Sequence, residues 1–148
     1  MSKILDNLYL GSIYTAQSPS FIQNNNIKLI INAAREVNIP FYDSVQLVLN
    51  LNWVDNLDQE ITTAYLDYLS NVIDNHLRNN MAVLVNCFAG ISRSSTIIIA
   101  YLMNKHNMSL VEAISYVKDK RYIINPNPNF LNILKRYEQY LQYKRSLY

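Results

Sequence analysis

The chain has 148 residues, of which half are hydrophobic and 16% are charged, and its formal net charge is +2. This length predicts a single domain, residues 1–148, with a hydrophobic core. The small net charge gives no electrostatic reason to expect nucleic acid as a partner, and no apolar run approaches the roughly 20 residues of a membrane span. The single cysteine, Cys87, excludes an internal disulfide and favours a reducing compartment, the cytoplasm or the nucleus.

Strand and helix patterns alternate along the first half of the chain. Short apolar runs predict strands at 8–11, 27–32 and 45–51. After the first of these, Ser18 and Pro19 are typical of a helix N-cap and first helical position, and this short helix should end near residues 24–26. Apolar residues at helical spacing predict a long amphipathic helix at 59–79, with Asp58 as its N-cap.

The second half of the chain begins with a strand and continues with helices. The predicted elements are a strand at 82–86, a buried helix at 93–107, a helix at 109–119 and a last helix at 130–143. Ser109 and Glu112 form a capping-box pattern, and Pro126 and Pro128 interrupt the chain before the last helix. Strands that alternate with helices predict an α/β sandwich around a mostly parallel sheet.

The segment after the strand at 82–86 carries the strongest chemical signal. Cys87 is followed six residues later by Arg93, which opens the buried helix, and Gly90 lies between them. Such a loop can turn its backbone N–H groups toward an anion, the helix N-terminus adds partial positive charge, and arginine can donate two hydrogen bonds to a tetrahedral oxyanion. The arrangement predicts that a Cys87 thiolate attacks a bound oxyanion; the alternative is an inert cysteine buried at a strand end.

Hydrolysis of a phosphate ester also needs a group that protonates the leaving oxygen. The candidate loop carboxylates are Asp43, Asp55 and Asp58. Asp58 is assigned to the helix N-cap, and nothing directs Asp43 toward the cysteine loop. Asp55 follows the strand at 45–51, on the side where the strands end, so it is either the acid or an ordinary surface aspartate.

No cluster of histidine, cysteine and aspartate has the spacing of metal ligands, so we expect no metal and no other cofactor. The only histidines are His76 and His106, and neither lies beside Cys87 in the sequence. A cysteine protease dyad is therefore less favoured, although the sequence does not exclude it.

Five segments of the chain resemble the small, atypical dual-specificity protein phosphatases of the cysteine-dependent protein tyrosine phosphatase superfamily. They are NLYLGS from residue 7, IINAARE at 30–36, VLNLNWVDN at 48–56, VLVNCFAGISRSSTIIIAYLM at 83–103 and RYIINPNPNF at 121–130. The resemblance covers nearly the whole chain. It implies an α/β domain with a mostly parallel, twisted sheet of about four to five strands flanked by about five to six helices.

The resemblance also implies a role for each matching residue. Cys87 would be the nucleophile, Arg93 the phosphate clamp and Asp55 the general acid, while Ser94 would hydrogen-bond the cysteine sulfur and help it leave. The phosphate cradle would be the backbone of Phe88, Ala89, Gly90, Ile91, Ser92 and Arg93. The implied reaction is hydrolysis of phosphotyrosine and phosphoserine or phosphothreonine in proteins through a phosphocysteine intermediate, without a metal.

Asn86 is the one departure that matters. The family usually has histidine before the nucleophile, where it is understood to orient the loop and tune the ionisation of the cysteine. Asn86 can still hydrogen-bond the backbone, but it cannot carry charge. We therefore expect Cys87 to ionise at a higher pH than is usual for the family, and activity at neutral or acidic pH to be weaker.

Three functions remain open. An active protein phosphatase acting on phosphorylated protein substrates is favoured, because Cys87, Arg93 and Asp55 are all retained. The resemblance implies a shallow pocket that accepts phosphoserine and phosphothreonine as well as phosphotyrosine, because 148 residues leave little room for the added loop that deepens the pocket of strictly tyrosine-specific relatives. A pseudophosphatase that binds phosphorylated partners with little turnover is the rival that Asn86 suggests. A phosphatase acting on RNA 5′-phosphates or lipids is less favoured, because the charge is small and the cysteine loop has no lysine.

Overall fold

Five strands form one mixed sheet in a computed structural model that describes residues 1–148. The strands are β1 (Ser2–Leu5), β2 (Leu8–Gly11), β3 (Ile27–Ala34), β4 (Leu47–Trp53) and β5 (Ala82–Asn86), and they lie in the order β1-β2-β5-β3-β4. β2, β5, β3 and β4 are parallel, whereas β1 pairs antiparallel to β2. β5 is the central strand, so the residue that follows it lies at the middle of the sheet's carboxyl edge.

Six helices pack on the two faces of this sheet. They are α1 (Ile13–Ala16), α2 (Pro19–Asn24), α3 (Thr63–Arg78), α4 (Arg93–Lys105), α5 (Leu110–Lys120) and α6 (Pro128–Ser146). Side chains alternate across β5: Val83 and Val85 join the larger apolar cluster with α3 to α6, and Leu84 joins the smaller one with α1 and α2. Both faces are therefore covered, which confirms the predicted α/β fold with a mostly parallel sheet.

The helix that follows the cysteine loop lies in the interior. Every residue of α4 from Arg93 to Met103 is buried, and the helix contacts β2, β3 and β5 as well as α3, α5 and α6. An apolar sequence on all sides of a helix is typical of this position. Because α4 is packed on every side, its N-terminus is held rigidly at the end of β5.

Two predicted helix starts need correction. The helix predicted at 59–79 begins at Thr63, and its N-cap is Thr62, whose side chain accepts a hydrogen bond from Tyr65 N at 3.1 Å. The prediction of Asp58 as the N-cap was wrong: its N–H donates to Asn56 Oδ1 at 2.9 Å in a side-chain-closed turn. The residues before α3 therefore form a loop, residues 54–62, which is called the acid loop below because it contains Asp55.

The last helix begins earlier than predicted. Asn127 is its N-cap, with its side-chain oxygen 2.8 Å from Phe130 N, and Pro128 occupies the first helical position. Proline is accepted there because the first N–H groups of a helix have no intrahelical partner. β1 and α1 were not predicted, since four residues each are too few to show a clear hydrophobic period.

Asparagine takes the backbone positions that glycine usually fills. All non-glycine residues with positive φ are asparagines, namely Asn7, Asn26, Asn52, Asn80 and Asn107, with φ between 51° and 66°. Most of them lie in turns between elements, and asparagine tolerates this left-handed conformation better than other residues with side chains. The chain can thus form its turns with only two glycines.

Candidate active site

Cys87 lies directly after the central strand and is 2% exposed. It is a free thiol, and its Sγ is 3.0 Å from Ser94 Oγ in the first turn of α4. Ser94 is fully buried, so water does not compete for this contact. The structure therefore brings together the predicted nucleophile and the predicted hydroxyl donor.

The five residues 88–92 form a loop whose carbonyl groups all accept hydrogen bonds. Phe88 O accepts from Ile13 N, and Arg121 donates through Nη2 to Ala89 O and through Nε to Gly90 O. Ile91 O accepts from Asn125 N and Ser95 Oγ. Ser92 O accepts from Thr96 N, Ser95 Oγ and Thr96 Oγ1. By contrast, the N–H groups of the same five residues donate to no group of the protein. A trans peptide points its N–H away from its C=O, so these amides are turned to the side opposite the donors, an arrangement that can bind an anion.

Gly90 is the residue that lets this loop close. Its φ is 69°, in the left-handed region. A Cβ at this position would lie 2.6 Å from Arg121 Nη2 and 2.8 Å from Gly11 O, both shorter than a real contact. Only glycine fits the backbone angle and the close approach together.

Arg93 is held beside the loop by Glu36. The Arg93 side chain is 7% exposed, and its Nη1 and Nη2 donate to the two carboxylate oxygens of Glu36 at 2.6 and 2.8 Å. Nη1 also donates to Trp53 O at 3.0 Å, whereas Nε has no partner. Nε and the second hydrogen of Nη2 lie along one edge of the guanidinium, which leaves a fork of two donors for an oxyanion.

The electrostatic environment keeps this arginine charged. Burial acts to lower the pKa of Arg93, but the Glu36 hydrogen bonds and the charges of Cys87, Glu36 and Asp55 raise it above its ordinary value. In return, the hydrogen bonds from Arg93 lower the pKa of Glu36. The Arg93 guanidinium thus carries a permanent positive charge next to the predicted nucleophile.

Asp55 lies on the exposed acid loop, near enough for its charge to act on Arg93. Asn127 Nδ2 donates to Asp55 Oδ1 at 2.8 Å and to Asn56 O at 3.2 Å. The backbone N–H of Asn127 donates to Ser92 Oγ at 3.0 Å. Asn127 therefore joins the predicted acid to the cysteine loop.

Asn86 belongs to a row of three asparagines that crosses the carboxyl ends of β4, β3 and β5. Asn32 is paired in register with both Asn50 and Asn86. Asn32 Nδ2 donates to Asn50 Oδ1 at 3.0 Å, and Asn86 Nδ2 donates to Asn32 Oδ1 at 3.2 Å. Asn86 is fully buried, and its Nδ2 lies 3.4 Å from Cys87 O, while its Oδ1 has no partner. The side chain thus supports the end of β5 without supplying charge.

Sequence reasoning missed three residues of this site: Glu36, Arg121 and Asn127. Glu36 follows a strand, Arg121 follows a helix and Asn127 precedes one, and each is a polar residue near the end of an element, which is only a weak signal. None could be assigned to the cysteine loop without the pairing of distant segments, since Glu36 and Arg93 are 57 residues apart.

No group of three or more histidine, cysteine, aspartate or glutamate side chains could hold a metal ion. None of the six helices combines the length and the hydropathy of a membrane span.

Comparison with known proteins agrees with this geometry. Residues 8–140 match the family described as "Dual specificity phosphatase, catalytic domain". The chain is 34% identical over 143 residues to dual specificity protein phosphatase 1B of Arabidopsis thaliana, which covers 96% of the chain and 84% of that protein.

Two crystal structures have closely similar folds. Human DUSP28 matches with a TM-score of 0.90 and 29% identity, over 97% of this chain and 99% of that one. The human tyrosine phosphatase-like serine/threonine/tyrosine-interacting protein matches with a TM-score of 0.85 and 32% identity, over 95% and 96% of the two chains.

Proposed function

The chain belongs to the dual specificity phosphatase family, and we propose that it hydrolyses phosphotyrosine and phosphoserine or phosphothreonine in proteins through a phosphocysteine intermediate. One observation carries the proposal. Five consecutive amides without protein partners follow a buried cysteine in the chain, and Arg93, which comes next, has one edge free. Such a set of donors suits the three terminal oxygens of a phosphate monoester.

In the first step the Cys87 thiolate attacks phosphorus, and the bond from phosphorus to the ester oxygen breaks. The amides of the loop and Arg93 bind the non-bridging oxygens, so they supply the positive charge that the transition state needs. Asp55, protonated at this stage, gives its proton to the leaving oxygen of the tyrosine, serine or threonine. The products are the free hydroxyl group and a phosphorylated Cys87.

In the second step water attacks the phosphorus of the phosphocysteine, and the sulfur–phosphorus bond breaks. The Asp55 carboxylate, left by the first step, takes a proton from the water. Ser94, whose Oγ is 3.0 Å from Sγ, donates a hydrogen bond to the sulfur as it leaves. Inorganic phosphate and the thiolate are released, so atoms, charges and protons balance over the cycle.

A pseudophosphatase is the second candidate, and two observations favour it. Asn86 is fully buried and neutral beside the nucleophile, and one of the similar structures is described as a phosphatase-like interacting protein. Against it, the chain keeps Cys87, Arg93, Asp55 and Ser94 in an arrangement that supports both chemical steps. Substrates other than proteins are less favoured, because residues 88–92 contain no lysine to bind additional phosphate groups.

The test is turnover of p-nitrophenyl phosphate and of phosphotyrosine, phosphoserine and phosphothreonine peptides in the presence of EDTA. We expect wild type to release phosphate, Cys87→Ser to release none, and acid quenching of wild type to trap phosphate on the peptide that contains Cys87. Binding of phosphopeptides by wild type without phosphate release would replace the proposal by the pseudophosphatase. Faster release from a 5′-phosphorylated RNA or a phosphoinositide than from any peptide would overturn the protein substrate.

A further inference from the structure

Arg121 extends from the C-terminal end of α5 to the outer side of the loop 88–92. Its Nε donates to Gly90 O at 2.9 Å, and its Nη2 donates to Ala89 O at 3.1 Å. Its Nη1 donates to Ser2 Oγ in β1 at 3.2 Å. One edge of the guanidinium therefore binds two consecutive carbonyls of the loop, while the other end is attached to the edge strand.

These two carbonyls differ from the other three because no backbone N–H and no hydroxyl donates to them. Phe88 O, Ile91 O and Ser92 O accept from backbone N–H groups or from hydroxyls at the start of α4. Ala89 O and Gly90 O accept only from Arg121. Since the C=O and N–H of a trans peptide point in opposite directions, Arg121 alone sets the direction of the Gly90 and Ile91 amides.

The conformational freedom of Gly90 makes this restraint necessary. A glycine can rotate the peptides on both its sides at little steric cost, and Gly90 already lies at a φ of 69°. The two peptides that Arg121 holds are the ones that flank Gly90. Without the Arg121 guanidinium, the peptides on the two sides of Gly90 could rotate. Their carbonyls would then point toward the bound anion, and their N–H groups would point away from it.

We propose that Arg121 is a positioning residue for oxyanion binding, which orients the Gly90 and Ile91 amides toward the phosphate through the carbonyls behind them. The inference rests on the proposed phosphatase function, because it concerns the same cradle. Arg121 does not need to touch the phosphate. A charged donor on a carbonyl also polarises that peptide and strengthens its N–H as a donor. Burial lowers the pKa of Arg121, and the charge of Cys87 opposes this change.

The experiment measures tungstate binding, by competitive inhibition of p-nitrophenyl phosphate turnover and by the backbone amide shifts of the loop in NMR spectra. Arg121→Met removes all donors, and Arg121→Lys keeps the charge but loses the two-donor edge. Ser2→Ala removes only the third hydrogen bond. Lys118→Gln removes a positive charge from an exposed position of the same helix.

We expect both Arg121 variants to bind tungstate about tenfold more weakly or worse, as for loss of a charged hydrogen bond. The two controls should stay within about twofold of wild type.

The amide shifts separate positioning from a general structural role. On addition of tungstate, the Gly90 and Ile91 amides should respond less in Arg121→Lys than in wild type, while the Ala89 amide responds as before. Unchanged affinity in both variants, recovery of full affinity by Arg121→Lys, or an equal loss at all the loop amides would each overturn the positioning role. If Arg121→Met does not fold, Arg121→Lys alone decides. Failure of wild type to bind tungstate would overturn the proposed function together with this inference, whereas binding shared by all variants would overturn only the role of Arg121.

Discussion

The loop that surrounds Cys87 and the loop that carries Asp55 are held in place by different means. In residues 88–92, every carbonyl is hydrogen-bonded, and the helix that follows is buried over its first three turns. In the acid loop, residues 54–62, most residues are exposed. The acid loop is attached to its neighbours by the side-chain amides of Asn127 and Asn129, which donate to Asp55 Oδ1, Asn56 O and Gln59 O.

This difference separates two parts of the proposed reaction. A cradle that is already formed does not need to reorganise when charge develops on the phosphate. An exposed loop held by a few side-chain hydrogen bonds can open at a lower cost in free energy than a buried element. Changes in the cradle should therefore alter oxyanion affinity, and changes in the acid loop should alter kcat while leaving oxyanion affinity close to wild type.

The largest effect should come from Asp55, the proposed general acid. Asp55→Asn removes the proton that the leaving oxygen needs, and we expect kcat for phosphoserine peptides to fall by roughly 10³-fold. The loss should be much smaller for p-nitrophenyl phosphate, because nitrophenolate leaves without a proton. Tungstate inhibition should be nearly unchanged.

Asp58→Asn, in the same loop, is the matched control and should keep nearly full activity. Equal losses for the two substrates would argue that Asp55 is not the proton donor.

The second largest effect should come from Gly90→Ala, which distorts the cradle. The new methyl group would lie 2.6 Å from Arg121 Nη2 and 2.8 Å from Gly11 O, at a φ of 69°. We expect kcat/KM to fall by roughly 10²-fold, as for loss of one oxyanion donor, and tungstate inhibition to weaken with it. The strained backbone should lower the free energy of unfolding by about 1–3 kcal/mol in urea titrations. Full tungstate affinity in a folded Gly90→Ala protein would show that the cradle tolerates rearrangement.

Asn127→Asp tests the attachment of the acid. An aspartate keeps the helix N-cap acceptor for Phe130 N but cannot donate to Asp55, and it places a second negative charge beside that carboxylate. We expect kcat to fall roughly 10- to 50-fold, less than for loss of Asp55 itself, with little change in tungstate inhibition.

The Asn127→Asp change should have little further effect when combined with Asp55→Asn, because the two act on the same step. Asn129→Ala, which removes hydrogen bonds to Asn56 O and Gln59 O only, is the control. Additive losses in the double variant would argue that Asn127 acts elsewhere.

The same contrast explains which parts of the fold were predictable. β5 is apolar from Ala82 to Val85 and α4 is apolar from Ile97 to Met103, so a local pattern was enough to locate the cysteine loop between them. The start of α3 was predicted four residues too early, because Gln59 and Ile61 continue the helical pattern although they lie in the acid loop. The side-chain hydrogen bonds of Asn56 and Gln59 determine that loop, and hydrophobic periodicity carries no information about them.

The candidate site was predictable to the same extent. Cys87, Ser94 and Arg93 are close in sequence, and the structure places them together. Glu36 and Arg121 come from distant segments, and their role depends on strand order and on where a helix ends. Local spacing cannot supply this information, since each contact joins segments that are far apart in the sequence and come together only in the folded protein.

Glu36→Gln tests whether the clamp is positioned by charge. The glutamine can accept a hydrogen bond from Arg93 at only one oxygen, so the guanidinium should be less well oriented, and we expect kcat/KM to fall about tenfold. Because Arg93 lowers the pKa of Glu36, the ion pair stabilises the fold above the ordinary pKa of glutamate, roughly 4.3. This stabilisation should disappear as the pH falls below that value through the lowered pKa of the folded protein.

The difference in urea stability between wild type and Glu36→Gln should accordingly be constant near neutral pH and should shrink below about pH 4. Glu60→Gln, on the exposed acid loop, is the control for removal of a carboxylate. A stability difference that persists unchanged into acid would contradict the ion pair as its source.

The smallest effect should come from Asn86→His, which changes the residue beneath the cradle without touching its donors. Asn86 is fully buried and carries no charge, so a histidinium at this position would add positive charge next to Cys87. We expect the rate of Cys87 alkylation by iodoacetamide to rise at a lower pH than in wild type, and activity below neutral pH to increase by about two- to fivefold. Asn86→Ala removes the hydrogen bond to Asn32 without adding charge, and it should not shift the alkylation profile toward acid. Identical alkylation profiles for wild type and a folded Asn86→His protein would mean that the cradle, rather than residue 86, sets the reactivity of the nucleophile.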